Sequence, residues 1–418
     1  MTHPSWLEIN LSGLDANLAA LRQIVGASVK VCCVLKANAY GLGAVRIAKH
    51  LVGQKADMLA VYNYEEVLEL AETGIDRPIL MLMPLREWPG NSDLDRLIVS
   101  GRLHLTIHDL QQLAQVDRIG RRLGCPIPVH LYLDTGMSRS GMNAVQMSTA
   151  LDQVESMGHA RLVGIYTHLA TADCDVDFAR RQVDQFDRFM VRHQARIPPA
   201  VVNHVANTFA TLRGRRYHQA MVRVGLGLFG YGMNQLQGPP VIAEGSVLRP
   251  IVRWLSSIVH IQHYPSGSPV GYGCTHHLSR DSVLGIVPVG YGHGYPLALG
   301  NRASVRLVSG DGQCKVTAPV VGRVSMDQIV IDLTRHPAGP SMTQEHAVPW
   351  PDGFEPRIGS RVELISDDPK SPCSLPSVAQ QAGSSCHELL CRLSPRLPRR
   401  WWVEPVVPIY STENSLSD

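Results

Sequence analysis

Val29-Lys30-Val31-Cys32-Cys33-Val34-Leu35-Lys36-Ala37-Asn38-Ala39-Tyr40-Gly41-Leu42-Gly43 reads as a strand that ends on a lysine and turns into a helix. The apolar, β-branched run Val29–Leu35 has the composition of a buried strand. Small residues, a tyrosine and two glycines follow and open a helical segment. A lysine at the end of a buried strand is costly as a cation unless it is paired or chemically used. Burial lowers its pKa, and a neutral amine is what condenses with an aldehyde. The plain alternative is that Lys36 snorkels to the strand end as an ordinary surface cation.

On either side of this unit, strands and amphipathic helices alternate. Further strands are read at Met58–Asn63, Pro78–Met83, Leu103–His108, Val129–Asp134, Leu162–His168, Val201–Asn207 and Met221–Val224. Helical spacing separates most of them, as in Tyr64–Glu72, Asp109–Leu123, Asn143–Met157 and Asp175–Gln194. Eight such units in about 230 residues predict an α/β fold of the (β/α)8 TIM-barrel type. The rival, an open doubly wound sheet, lacks a GxGxxG turn after any strand.

Ahead of the barrel, Trp6–Asn10 alternates as a short strand, and Ser12 is positioned to cap a helix carrying Leu14, Leu18 and Leu21. The barrel is expected over residues 1–240, with that first strand free to join a mostly β C-terminal domain over 241–410. Strand-like runs there are Ile251–Gln262, Val283–Val289, Ala303–Val308, Gln328–Leu333 and Arg361–Ile365. The Pro-rich stretch 335–357 reads as a long surface loop, and 411–418 as a disordered tail.

Composition narrows the function. Across 418 residues, 44% are hydrophobic, 18% are charged and the net charge is only +3, so nothing points to nucleic acid. The densest basic cluster, Arg392–Arg400, is broken by Pro395 and Pro398 and reads as a solvated connection. Nine cysteines occur without a CxxC pair, which indicates neither a metal site nor a disulfide framework; Cys386 and Cys391 read as reduced packing residues. No signal peptide and no bilayer-length apolar run is visible, so a cytoplasmic protein is expected, with no membrane partner.

Functional residues of a barrel collect at the C-terminal strand ends. Those ends carry Lys36 and Tyr40; Asp134 and Arg139; His168; His204, Asn207 and Thr208; then Arg223 and Gly225. With these in place, the stretch VLKANAYGLG (34–43) resembles the cofactor-lysine motif of the alanine racemase family. The likeness continues in order through LDTGMSRSG (133–141), GIYTHLATAD (164–173), HVANTFATLR (204–213), MVRVGLGLFGYG (221–232), VGYG (270–273), VPVGYGHGYP (287–296) and VGRVSMDQ (321–328).

The resemblance implies a homodimeric, pyridoxal 5'-phosphate (PLP) dependent enzyme that interconverts L- and D-alanine and supplies D-alanine for peptidoglycan. Lys36 would hold PLP through its amine and serve as one base. Tyr272 of the partner subunit would be the other, on the opposite face of the substrate. A phenol is a weak base unless its surroundings favour the phenolate, and His168, linked to Arg223, would supply that bias. Arg223 would face the pyridine nitrogen and, keeping its own proton, leave that nitrogen unprotonated. Tyr40, Thr208, Gly225 and Leu226 would hold the phosphate, with Asn207 beside them. Arg139 and the Met326 backbone would receive the substrate carboxylate, and Tyr291 would stand at the entrance across the dimer interface.

Four positions depart from the family pattern. Tyr132 replaces a lysine that many members carry as a carboxylated, negatively charged group beside the carboxylate-binding arginine. His387 replaces a cofactor-site tyrosine, which admits a side chain larger than methyl and makes a broader racemase, for example one acting on serine, the nearest alternative. At the entrance, His293 stands for an aspartate and Leu297 for an arginine. A PLP decarboxylase of the same barrel type would need no phenol opposite the lysine, and a non-catalytic PLP-binding protein would need no second domain.

Overall fold

The computed structural model describes residues 3–54, 56–237, 248–309, 312, 315–334 and 354–403. The expected domain junction near residue 240, most of the Pro-rich stretch (335–353) and the tail 411–418 lie outside the described residues. The first strand, β1 (Trp6–Asn10), precedes the barrel strands β2 (Lys30–Val34), β3 (Met58–Val61), β4 (Ile79–Met81) and β5 (Leu103–Ile107). They are followed by β6 (Ile127–Tyr132), β7 (Ala160–Tyr166), β8 (Val202–His204) and β9 (Met221–Val224). All eight barrel strands pair in parallel, in the order β8-β7-β6-β5-β4-β3-β2-β9. Between β8 and β9 the circle is completed by the Ala220 N–H donating to the Asn203 carbonyl and the Arg223 N–H to the Ala206 carbonyl.

The strands are shorter than their apolar runs because the last residues of each run bend into the functional loops. The helices start where short polar side chains can take up free N–H groups. Asp109, Asn143 and Asp175 each accept from the first turn of the helix that follows. Ser12 does not cap the first helix, Leu11–Val25; Asn10 does, accepting from the Gly13 N–H, while Leu14, Leu18 and Leu21 are buried as their spacing requires.

The barrel interior is divided. On one side Cys32, Val34, Met58, Ala60, Leu80 and Met221 form an apolar cluster. On the other, β5 to β9 aim His104, His130, Tyr132, Tyr166, His204 and Arg223 inward, in ring contact or hydrogen-bonded to one another.

The C-terminal region forms a nine-stranded sheet from β10 (Val252–Ser257), β11 (His260–Tyr264), β14 (Ser282–Val287), β15 (Ser304–Val308), β16 (Lys315–Val321), β17 (Ile329–Asp332), β18 (Arg361–Ile365) and β19 (Arg399–Trp402), together with β1. A separate hairpin pairs β12 (Pro269–Val270) with β13 (His276–His277). Strand β1 lies between β10 and β19, so this sheet includes both ends of the described chain. The run Ile251–Gln262 is two strands, with β10 paired to β1 and β18 but β11 paired to β14. Strand β16 was not expected, because Pro319 breaks its pattern. The basic stretch is not a solvated connection: Arg399 opens β19 and donates to the carbonyls of Gly41, Leu393, Ser394 and Leu397.

Candidate active site

A cavity of about 610 Å³ opens at the C-terminal end of the barrel, lined by Lys36, Tyr40, Tyr132, Arg139, His168, Asn207, Thr208, Arg223, Gly225, Leu226 and His387 among others. That volume suits a small-molecule site. These eleven residues, all named from the sequence, converge here, whereas Asp134 and His204, also read at strand ends, do not line the cavity.

Lys36 reaches the cavity through an unusual turn. Ala37, Asn38, Ala39 and Tyr40 all have positive φ, between +51° and +57°, a full turn of left-handed helix. Such a turn costs about 1–2 kcal/mol per residue for L-amino acids, a cost that Ala37, Ala39 and Tyr40 all carry because each has a Cβ. One side chain from elsewhere and one of its own hold it. The Glu66 carboxylate accepts from the Ala37 N–H at 2.6 Å and the Tyr62 N–H at 2.7 Å, and Asn38 Oδ1 accepts from the Ala44 N–H at 2.7 Å. A Cβ on Gly41 would lie 2.5 Å from the Leu390 carbonyl. Among the described residues no carboxylate pairs with the Lys36 amine, and burial, with the Arg139 cation beside it, lowers its pKa.

Arg223 is 5% exposed. It donates to His204 Nδ1 (2.7 Å) and to the carbonyls of His204 (3.0 Å) and Thr167 (2.9 Å), with a longer bond to His168 Nδ1 (3.3 Å). Its guanidinium also lies 4.9 Å over the Tyr166 ring. Every described partner is neutral, so the charge is buried but dispersed over carbonyls, imidazoles and a π face. Because an arginine only donates, His168 Nδ1 accepts and the neutral ring carries its proton on Nε2. Burial first, then the Arg223 charge, push His168 down to about 3, so it stays neutral at physiological pH.

The end where the resemblance places the phosphate is a cradle without side-chain bulk. Thr208 Oγ1 accepts from the N–H groups of Gly225 and Gly227, both at 3.2 Å. A Cβ on Gly225 would sit 2.1 Å from the Tyr40 hydroxyl. Asn207 caps the helix that begins at Thr208 by accepting from Ala210. The His387 ring stands 5.7 Å from that of Tyr40, and Tyr132 stacks on Tyr166 at 4.5 Å. Burial raises the Tyr132 phenol and the nearby Arg139 charge opposes that rise, so Tyr132 supplies no negative charge to Arg139.

Tyr272, Tyr291 and Met326 do not line this cavity. They lie on the β domain with exposures of 70%, 48% and 54%. Tyr272 stands between Gly271 and Gly273, whose φ of +71° and +73° turn the loop outward. Tyr291 and Met326 are neighbours, through bonds from the Tyr291 and Gly292 N–H groups to the Ser325 and Met326 carbonyls. His293 is buried, whereas Leu297 is 53% exposed.

Family models for the alanine racemase N-terminal domain and C-terminal domain match residues 9–232 and 251–401. The chain belongs to the alanine racemase family. It is 34% identical over 401 residues to the alanine racemase of Synechocystis sp., covering 94% of this chain and 98% of that one. To the alanine racemase of Halothermothrix orenii it is 31% identical over 402 residues, covering 96% and 97%. The solved alanine racemase of D-cycloserine-producing Streptomyces lavendulae superposes with a TM-score of 0.81 at 26% identity, covering 96% and 98%. An alanine racemase family enzyme is PLP-dependent. The cradle at Tyr40, Thr208 and Gly225 and the unpaired amine of Lys36 fit that group.

Residues that sequence reading missed support the site from behind. Glu66 and Arg399 pin the lysine turn, and His104 and His130 extend the polar contacts of His204 into the barrel. Glu66 sits in a helix, and the strand alternation of His104 was visible, but nothing local marked either as connected to the site.

Proposed function

We propose that this chain racemises alanine between its L and D forms with two bases, Lys36 and Tyr272 of the partner subunit, in a cytoplasmic homodimer that supplies D-alanine for peptidoglycan. The carrying observation is the cavity that brings the unpaired Lys36 amine together with Arg139 and Arg223, while Tyr272 stands exposed on another domain.

Bound PLP withdraws electrons from the substrate α-carbon and so acidifies its proton. Lys36, with its lowered pKa, accepts or returns that proton on one side. Arg139 attracts the substrate carboxylate and orients the α-carbon. Arg223, which keeps its own proton, would face the ring nitrogen of bound PLP and temper its pull on electrons. The Nε2–H of His168 is a donor available to the Tyr272 phenolate from the partner subunit. Tyr272 then serves the opposite side, since inversion requires the proton to return from the face it did not leave. Tyr40, Thr208 and the backbone at Gly225 and Leu226 take the phosphate, with Asn207 and His387 alongside. Tyr291 of the partner subunit narrows the entrance, and the backbone of Met326 of the partner subunit, beside it, reaches the carboxylate.

Alpha-proton exchange in heavy water tests both bases. Lys36→Ala is expected to abolish exchange from both enantiomers. Tyr272→Phe is expected to slow interconversion at least about a hundredfold and to leave exchange from one enantiomer only. Rapid racemisation by the Tyr272 variant would remove the second base and favour a decarboxylase-like site. Mixing the two inactive variants regains activity if each site is shared between subunits.

His387 at the cavity wall supports a second reading, a racemase of broader range. Turnover of alanine, serine and lysine separates the two, and alanine as the slowest substrate overturns the first.

A further inference from the structure

Behind Arg223 the barrel interior holds a continuous row of imidazoles. His204 Nε2 is 2.9 Å from His130 Nδ1, and His130 Nε2 is 3.0 Å from His104 Nδ1. His104 ends the row on the side of the Gly101 backbone. The row starts 2.7 Å from the Arg223 guanidinium and crosses from β9 to β8, β6 and β5.

Its direction is fixed by chemistry. A guanidinium donates and cannot accept, so His204 Nδ1 is bare and its proton is on Nε2. That proton faces His130 Nδ1, which must accept, and the same logic passes to His130 Nε2–H and His104 Nδ1. His104 Nε2–H is then left at the far end of the row. Every ring has the same tautomer, set from the Arg223 end.

The fold makes room for this row. His130 on β6 reaches His204 on β8 across β7, where a Cβ on Gly164 would be 2.0 Å from His130 Nδ1. Tyr166 lies flat against His204, centroids 4.9 Å apart and planes within 4°, which fixes that ring's tilt. His130 and His204 are fully buried, and an imidazolium beside the Arg223 cation would be repelled as well as desolvated.

We propose that His104 and His130, acting through His204, are positioning residues for the cofactor contact of Arg223: a one-way hydrogen-bond relay that holds the guanidinium in one orientation at the barrel mouth. The relay rests on the reading of Arg223 as the group facing the PLP ring nitrogen. A guanidinium with a bare imidazole nitrogen behind it keeps its proton and its aim. If His204 were to flip its tautomer, two N–H donors would oppose each other and Arg223 would have to turn.

Two-dimensional ¹H–¹⁵N spectra of the histidine-labelled holoenzyme read the relay directly. The expected result is three neutral rings, His104, His130 and His204, each protonated at Nε2. An Nδ1-protonated ring or an imidazolium at any of the three near pH 7.5 overturns the relay. The same spectra after PLP removal separate the two readings. The tautomers are expected to persist while the His204 and His168 signals shift; unchanged signals would instead overturn the placement of Arg223 against PLP, and the positioning role with it.

Variants supply the second readout. His130→Gln can still accept from His204 and donate to His104, whereas His130→Leu can do neither. In folded holoenzyme, His130→Leu is expected to lower kcat for alanine at least tenfold with KM changed less than threefold, because Arg139 is untouched. His130→Gln is expected to restore most of kcat. Equal kcat in wild type and both variants overturns the positioning role. If the leucine variant does not fold, the same comparison is made at His104, whose ring is only partly buried, with the same two outcomes.

Discussion

Gly225 shows what a single residue decides in this site. Its φ is negative, so conformation alone does not demand glycine. The demand comes from the Tyr40 hydroxyl, 2.1 Å from where a Cβ would be. Gly225→Ala must displace Tyr40 or the cradle backbone, and PLP affinity is expected to fall at least about tenfold, equivalent to ~1.4 kcal/mol, with little change in the melting temperature of the PLP-free protein. A PLP titration followed by absorbance measures it. Most residues on this scale were legible from the sequence because they sit at strand ends, where the barrel puts chemistry. Arg399 was not. It lies in a basic, proline-broken stretch, and only the fold brings its guanidinium to the Gly41 carbonyl at 2.8 Å. Arg399→Met removes charged donors from four carbonyls and is expected to destabilise the protein by about 2–3 kcal/mol, read by urea denaturation.

Among the elements, the left-handed turn Ala37–Tyr40 is the costliest and the most informative. The sequence marked a lysine followed by small residues, but not that four consecutive non-glycine residues would take positive φ. Local propensity argues against such a turn. It persists because Glu66 and the Arg399 region satisfy backbone groups at its two ends and the Asn38 side chain ties it to the next helix, a strained segment at a functional site that its surroundings over-determine. Asn38→Val places a β-branched residue at φ +54° and removes the bond to Ala44, so a loss of about 2 kcal/mol is expected. Lys36 should be displaced as well. A drop in PLP loading larger than the drop in denaturation midpoint would show that the turn serves the site and not merely the fold.

For the whole molecule, the buried histidines couple stability to pH. His104 and His108 are pushed down to about 4 and His168 to about 3, in each case first by burial. His130 and His204 are held well below the ordinary range by burial and by the Arg223 charge. Above about pH 6.5 these rings are neutral in folded and unfolded chains alike, so their contribution is flat. Below that, the unfolded chain binds protons that the folded chain refuses, and stability falls as the pH drops towards 4. Each ring adds about 1.4 kcal/mol per pH unit over that range. Urea midpoints measured from pH 8 to 4.5 should therefore fall steeply below 6.5, and His104→Gln should make the slope shallower. The same scale holds the separation of Tyr272 from the Lys36 cavity, which makes subunit pairing the condition for a complete site in the proposed mechanism.

By itself the sequence determined the repeating strand-and-helix order, the second β domain and the strand-end residues, because period, apolar content and turn residues are local properties. It determined the lysine motif too, since the chemistry of a buried amine and the spacing of its neighbours are written within ten residues. Tertiary structure alone decided which polar residues meet. It put β1 and β19 side by side, carried Arg399 to the lysine turn, and aligned His104, His130 and His204 behind Arg223 across a strand thinned by Gly164. Those pairings join residues as far apart as Leu7 and Arg399. They follow from barrel closure and sheet order, to which no local pattern is sensitive.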